Sequence, residues 1–380
     1  MSSKTIYANY AATAPSLSPA AAAELHEYIS GTHLNAGRNF EGLEAGAVAL
    51  RARKAVGTLL GVADPLRVIF TSGATAALNM AIQGLVRQGD HVLASGVEHN
   101  AAARPLESLC KNGVIELDWL PCGNDGSLDA EKIRPAIRKN TRLLVMTHAS
   151  NVLGTILPAP ECFAIAREYG VFTVLDVAQT SGILPFDFAG LCDVIAFAGH
   201  KGLGALAGIG GCALSGRAAA EMRPWMHGGT GSASDSLDMP DFLPDRFEPG
   251  TQNTSGLVSL AASVGEILQT GVETIRRRER SLTARFLSGL RDIENVRPCG
   301  TGDPDRCVPV VSVVVDGQDA GEVSRLLFEN HGIITRSGLQ CSPLAHKTVG
   351  TFPDGTVRFS FGRETTESEI DAMLAALAEL

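Results

Sequence analysis

No stretch of this 380-residue chain comes near the roughly 20 consecutive apolar residues that a membrane-crossing helix requires, so a spanning helix is excluded. The opening residues, MSSKTIYANYAATAPS, lack the apolar core of a secretory signal. The eight cysteines are Cys110, Cys122, Cys162, Cys192, Cys212, Cys299, Cys307 and Cys341, and no two form a C-x-x-C pair. That scatter argues against a zinc site or a disulfide frame, so no metal is expected and the chain reads as a reduced, cytoplasmic protein. Positive charge is also short. Lys and Arg number 32 against 41 Asp and Glu, for a net charge of -9. With no basic run to offset it, this balance repels phosphate backbones and speaks against nucleic-acid binding. Aromatics make up only 5%, and no internal repeat or low-complexity tract is visible.

What is present suits a globular protein with a sizeable core. Hydrophobic residues make up 45% of the chain and charged residues 19%. This length accommodates two units better than one minimal core. Through the first two thirds, short β-rich runs alternate with helical patterns. The runs are RVIFTS, HVLAS, VIELDWL, RLLVMTH, VFTVLD, DVIAFA and GIGGCAL. Helices are expected over ATAALNMAIQGLVRQG, from about Ala101 to Cys110 and from about Asp129 to Arg138. The order implies an α/β architecture built on a mostly parallel sheet. Thr230 to Pro249, rich in Ser, Asp and Pro, reads as an exposed loop. A long helical stretch from about Leu257 to Leu290 leads into a smaller α+β unit. The resulting division is a large domain over 16–256 and a small one formed by 1–15 and 257–380.

In an open sheet of this kind, ligands bind beyond the carboxyl ends of the strands. Thr71 and Ser72, His99, His148 and Asn151, Asp176, and His200 with Lys201 all fall at those ends, which points to one site. Lys201 follows a wholly apolar run and is hemmed in by glycines, in AFAGHKGLG. Desolvation there depresses a lysine pKa and suits a Schiff-base amine. Asp176 ends another apolar run, where a carboxylate caps a helix, joins an ion pair, or faces the ring nitrogen of a pyridoxal cofactor. Ser72 to Thr75 lead from strand into helix, as in an ordinary capping turn or a phosphate cradle. His99 would be a neutral imidazole able to stack on a flat ring, or a satisfied strand-end histidine.

Two C-terminal segments add to this. In TRSGLQCSPLAH, Gly338 and Pro343 place Cys341 on a mobile loop with Arg336, His346 and Lys347 near it in sequence, and nearby positive charge favours the reactive thiolate. In GTVRFSFG the alternation puts Val357, Phe359 and Phe361 on one face and Arg358 with Ser360 on the other. Arg358 there is either an edge-strand surface residue or a bidentate grip for a carboxylate.

Taken as an ordered set, TSGAT, EHNA, SNVLGT, DVAQTSG, GHK, FEPGTQNT, RSGLQCSP and VRFSFG resemble the cysteine desulfurase and selenocysteine lyase family, class V aminotransferase-like enzymes of fold type I that use pyridoxal 5'-phosphate. The resemblance runs nearly end to end and implies a seven-stranded large domain and a homodimer. It implies that Lys201 holds the cofactor covalently, Asp176 pairs with its ring nitrogen and His99 stacks on the ring. Asn151 and Gln179 would contact the phenolic oxygen, and Ala74, Thr75 and His200 the phosphate. Thr251 would reach the phosphate bound by the partner subunit. Arg358, with Asn151, would bind the substrate carboxylate, and Cys341 would accept sulfur from L-cysteine as a persulfide, releasing L-alanine. Three departures stand out. Ala198 replaces the usual Ser or Thr before Gly-His-Lys, removing a phosphate hydrogen bond worth on the order of 1 kcal/mol. Gln340 replaces a common histidine, and Ser342 a common alanine. Two other readings remain open at this point. One is a selenocysteine lyase or another class V aminotransferase or β-lyase, acting on L-selenocysteine or a related amino acid. The other is a non-catalytic dimeric scaffold. A separate sulfur-acceptor protein is a further expected partner.

Overall fold

The computed structural model describes residues 5–31, 42–186 and 189–380. Its strands are β1 (Ile6–Tyr7), β2 (Val68–Thr71), β3 (Asp90–Ser95), β4 (Ile115–Leu120), β5 (Thr141–Thr147), β6 (Phe172–Asp176), β7 (Val194–Ala198), β8 (Gly210–Leu214), β9 (Val296–Cys299), β10 (Val310–Val315), β11 (Ile333–Ile334), β12 (Arg336–Gly338) and β13 (Thr356–Ser360). Seven of them form the large sheet, in the order β2-β8-β7-β6-β5-β3-β4. Pairing is parallel from β7 through to β4, while β8 runs antiparallel to both β2 and β7.

The apolar runs are continuous because both faces of this sheet are covered. Alternate residues feed opposite cores. Leu144, Met146, Leu175, Ile195 and Phe197 pack on one side with helices 42–59, 159–168 and 254–270. Leu143, Val145, Val174, Val194 and Ala196 pack on the other with helices 74–85 and 100–111. The glycines of β8 serve close approach. A Cβ on Gly210 would lie 2.7 Å from the Cα of Gly73, and one on Gly211 would lie 2.1 Å from the carbonyl of Ile69.

The C-terminal unit is a four-stranded antiparallel sheet, β12-β13-β10-β9, with helices 272–290, 320–331 and 367–378 around a third core. Strand β1 joins it by pairing in parallel with β11. The last helix begins with a capping box between Thr366 and Glu369, and the helix Ala320–His331 ends on Gly332 in the left-handed conformation.

Two local expectations differ from the structure. The helical stretch 257–290 is two helices, Thr254–Thr270 and Val272–Leu290, separated by Gly271 at φ +83°. The first packs on the large sheet through Leu257, Leu260, Val264 and Ile267. The second reaches the small core through Leu282, Phe286, Leu287 and Leu290. Ile275, near the start of the second helix, still packs in the large-sheet core, so the passage to the small core is made along this helix rather than at 256/257. The helix expected from Asp129 to Arg138 is only a 3-10 turn, Ala130–Lys132, and a single α-turn, Ile133–Ala136. Thr230 to Pro249 is a loop as expected except for one 3-10 turn, Asp245–Phe247, whose Phe247 is buried.

Buried in the small unit, Glu279 has an unpartnered Oε2. Burial raises its pKa to about 8, against the pull of Arg363, Arg276 and Arg278. The folded state therefore holds a proton that the unfolded chain releases near its ordinary value of 4.5. Stability from this group is complete below that pH and is lost as pH rises towards about 8. Glu279→Gln, which cannot ionise, is expected to raise Tm at pH 8 by about 2 °C or more and to leave it unchanged near pH 4.5. Calorimetry at the two pH values checks this.

Candidate active site

The carboxyl ends of β2, β3, β5, β6 and β7 open onto one cavity of about 300 Å³. It is lined by Ala74, Thr75, His99, Asn151, Asp176, Gln179, His200 and Lys201, which are most of the residues singled out by sequence. Lys201 stands two residues beyond Gly199, where a Cβ would come within 2.8 Å of the carbonyl of Ile209. The chain can turn this tightly off β7 only without a side chain there. Burial lowers the Lys201 pKa to about 8. The guanidinium groups of Arg358 and Arg336 add to the lowering, and Asp176 opposes it. Asp176 is buried at the end of β6, and its Oδ1 accepts from the N–H of Ala178 at 2.9 Å. Burial raises its pKa, while that N–H and Lys201 oppose the rise.

His99 caps the helix Asn100–Lys111, its Nδ1 accepting from the N–H of Ala101 at 3.0 Å. Burial, then Lys201 and three arginines, lower its pKa to about 4. The ring is therefore neutral near pH 7, and the accepting Nδ1 leaves the proton on Nε2. Gln179 donates from Nε2 to the carbonyl of Ala11 at 3.0 Å, tying the N-terminal segment to the cavity floor.

The chemistry of this donor set fits pyridoxal phosphate. Helix 74–85 starts at Gly73, at φ +151°, with no side chain capping its first turn. Its free N–H groups face the cavity as an anion site. Beside them, His200 has a buried, unpartnered Nδ1 and a pKa lowered by burial and by Lys201. Ala198 lines the same cavity and brings no hydroxyl. A buried carboxylate, a neutral imidazole and a desolvated amine complete the requirements of a flat aldehyde heterocycle bearing a phosphate.

Cys341 is the exposed cysteine among eight free ones. It lies in a neighbouring groove whose wall shares Thr75, His99 and Ala101 with the cavity. Of its three basic neighbours in sequence, only Arg336 meets the sulfur, Nη2 to Sγ at 3.3 Å. His346 is buried with its pKa lowered to about 4, and Lys347 stands over the Phe352 ring at 5.2 Å. Neither supplies the charge that spacing suggested, because burial neutralises one and an aromatic face occupies the other. The turn is also not free to swing. Asn151 donates from Nδ2 to the carbonyl of Gln340 at 2.8 Å, and Asn100 donates from its N–H to the carbonyl of Cys341 at 2.8 Å.

Two expected residues stand outside the cavity. Arg358 is wholly buried, donating to the carbonyl of Asn151 and to Oδ1 of Asn9, both at 2.9 Å, with its Nε unpartnered. Burial lowers its pKa to about 9, with a further contribution from Arg336. Thr251 is exposed and lines a different cavity, with Ser72, Gly208 and Gly250. Arg336, which the sequence places only near the thiol, lines the main cavity and sits directly opposite Arg358 across β12 and β13. No carboxylate forms an ion pair with either arginine among the described residues. Arg336 thus brings a guanidinium without a counter-ion to the cavity wall, with the buried Arg358 behind it. Antiparallel register was the missing signal, and it is invisible before the strands are paired.

The aminotransferase class-V family model matches residues 6–373. A protein of Methanothermobacter thermautotrophicus named probable cysteine desulfurase is 30% identical, over 99% of this chain and 94% of that one. A cysteine desulfurase of Salmonella agona is 30% identical over 86% of this chain and 81% of that one. Among solved structures, the apo cysteine desulfurase of Thermococcus onnurineus matches with a TM-score of 0.91 at 28% identity, covering 99% of this chain and 94% of that one.

Proposed function

Because this chain belongs to the aminotransferase class-V family, whose members work with pyridoxal phosphate, we propose that it is a cysteine desulfurase that moves sulfur from L-cysteine to Cys341 and releases L-alanine. The carrying observation is the adjacency of an exposed thiol to the cavity that holds Lys201 and Asp176, with His99 as the shared wall.

When bound, the cofactor supplies an electron sink for the substrate Cα. Lys201, with its pKa near 8, would hold the cofactor and carry the Cα proton. Asp176 would keep the ring nitrogen protonated, and the first turn of helix 74–85 would hold the phosphate with Thr75 and His200. Arg336 and Arg358 would fix the substrate carboxylate so that its sulfur faces Cys341. The Cys341 thiolate then attacks that sulfur. A sulfur–sulfur bond forms, the substrate carbon–sulfur bond breaks with its electron pair going to carbon, and a proton completes alanine. Cysteine plus thiol thus gives alanine plus persulfide, with no external oxidant.

Thr251 would complete the phosphate site of a second subunit. Its position outside its own chain's Lys201 cavity supports this, as do the exposed Trp225, Met226, Leu237 and Phe242 on the preceding segment. Eight unpaired cysteines favour a reducing cytoplasm, and no described helix is long and apolar enough to cross a membrane. The test is mass spectrometry of the Cys341 peptide after L-cysteine is added to the holoenzyme. One added sulfur atom on Cys341 is expected. An unmodified thiol in protein that is releasing alanine would overturn the assignment.

A further inference from the structure

Cys341 is flanked by two of the three residues at which this chain departs from the pattern it resembles, and both are buried while the cysteine between them is exposed. Gln340 is 3% exposed and Ser342 is 0%. Gln340 and Cys341 both lie in left-handed backbone, at φ +39° and +62°. Side chains with a Cβ adopt that region only when surrounding contacts impose it.

Those contacts form two arms. On one, Gln340 donates from Nε2 to the carbonyl of Thr356 at 2.7 Å and accepts at Oε1 from Nε2 of His346 at 2.9 Å. His346 is held in turn by Thr351, whose Oγ1 lies 2.7 Å from Nδ1. On the other, Ser342 donates from Oγ to Oδ1 of Asn151 at 2.6 Å, while Nδ2 of Asn151 donates to the carbonyl of Gln340. A single amide thus grips both flanks of the cysteine. The backbone carbonyl of that same residue accepts from Arg358, and its side chain lines the Lys201 cavity.

We propose that Asn151, Gln340 and Ser342 are positioning residues that clamp the Cys341 turn and so hold its thiol in register with the Lys201 cavity. This rests on the desulfurase reading for its kinetic consequence but not for its structural one. Asn151 then links three parts of one reaction: the cavity wall, the carboxylate-binding Arg358 and the sulfur acceptor. Buried amide–hydroxyl and amide–imidazole contacts of this kind are lost whole when one member is removed.

The test uses the holoenzyme with Ser342→Ala, Gln340→Met and the double variant. Hydrogen exchange is read at the amides of residue 342, bonded to the carbonyl of Leu339, and of Asn100, bonded to the carbonyl of Cys341. Each single change is expected to speed exchange at both amides about fivefold, as loss of one net hydrogen bond predicts. It should also slow single-turnover persulfide formation by a similar factor, with the cysteine concentration for half-saturation unchanged within about twofold. A role confined to global stability would lower Tm and leave this split absent. Exchange and rate both equal to the parent's in the double variant would overturn the clamp, as would a slower rate with unchanged exchange. If the parent forms no persulfide at all, the desulfurase reading fails, and the exchange measurement decides the clamp by itself.

Discussion

Cys341→Ser is expected to cut alanine release from L-cysteine by on the order of a thousandfold or more, while the protein still binds its cofactor. The argument is chemical. A serine hydroxyl at this position has neither the sulfur nucleophilicity nor an accessible anionic form near pH 7, so no bond to the substrate sulfur forms. It is also structural. Cys341 lines a groove separate from the cavity that holds Lys201 and Asp176, so its removal leaves those groups in place. Serine fits the turn, since the contacts fixing the backbone come from Gln340, Ser342, Asn151 and Asn100. Alanine production is measured alongside the absorbance of the bound cofactor. Sulfide release at the parent rate would remove Cys341 from the reaction. Loss on cysteine with a full rate on selenocysteine would favour the lyase reading, because a selenium leaving atom does not require the thiol.

The second large effect concerns the amine. Lys201→Ala is expected to abolish turnover and to remove the absorbance near 420 nm, the approximate position for a lysine-bound cofactor of this class. After borohydride treatment the parent should retain the cofactor through denaturation, whereas the variant should lose it on dialysis. Exchange of the substrate Cα proton with solvent should fall by about 10²- to 10⁴-fold, the usual contribution of a positioned base. The alanine leaves a cavity whose other walls are set by strand ends and by the helix at Gly73. Phosphate contacts should therefore survive, and the variant should still bind the cofactor reversibly. A variant that kept both the absorbance and covalent retention would show that another group holds the cofactor. A parent that lacked both would favour the scaffold reading.

Much of this site was legible in the linear sequence because the topology concentrates it. Once RLLVMTH, VFTVLD and DVIAFA are read as buried parallel strands, their carboxyl ends must lie side by side. Asn151, Asp176 and Lys201 are then neighbours without any further information. His99 and Thr75 follow from the same rule. What could not be read is whatever depends on antiparallel register or on burial around a turn. Arg336 meets Arg358 only because β12 and β13 run antiparallel in one register. His346 and Lys347 are adjacent to Cys341 in the chain, yet burial neutralises the first and an aromatic ring occupies the second. Gly271 offered a visible signal, a glycine inside a helical pattern, but a glycine there is equally compatible with an uninterrupted helix.

That glycine carries weight beyond its own bond rotations. The helix before it lies in the large-sheet core, and the helix after it keeps Ile275 in that core before Leu282, Phe286 and Leu290 enter the small one. The angle between them is set at a single residue free to take φ +83°. A side chain with a Cβ is strained at that φ, so any substitution at Gly271 bears on how one helical run serves two cores at once.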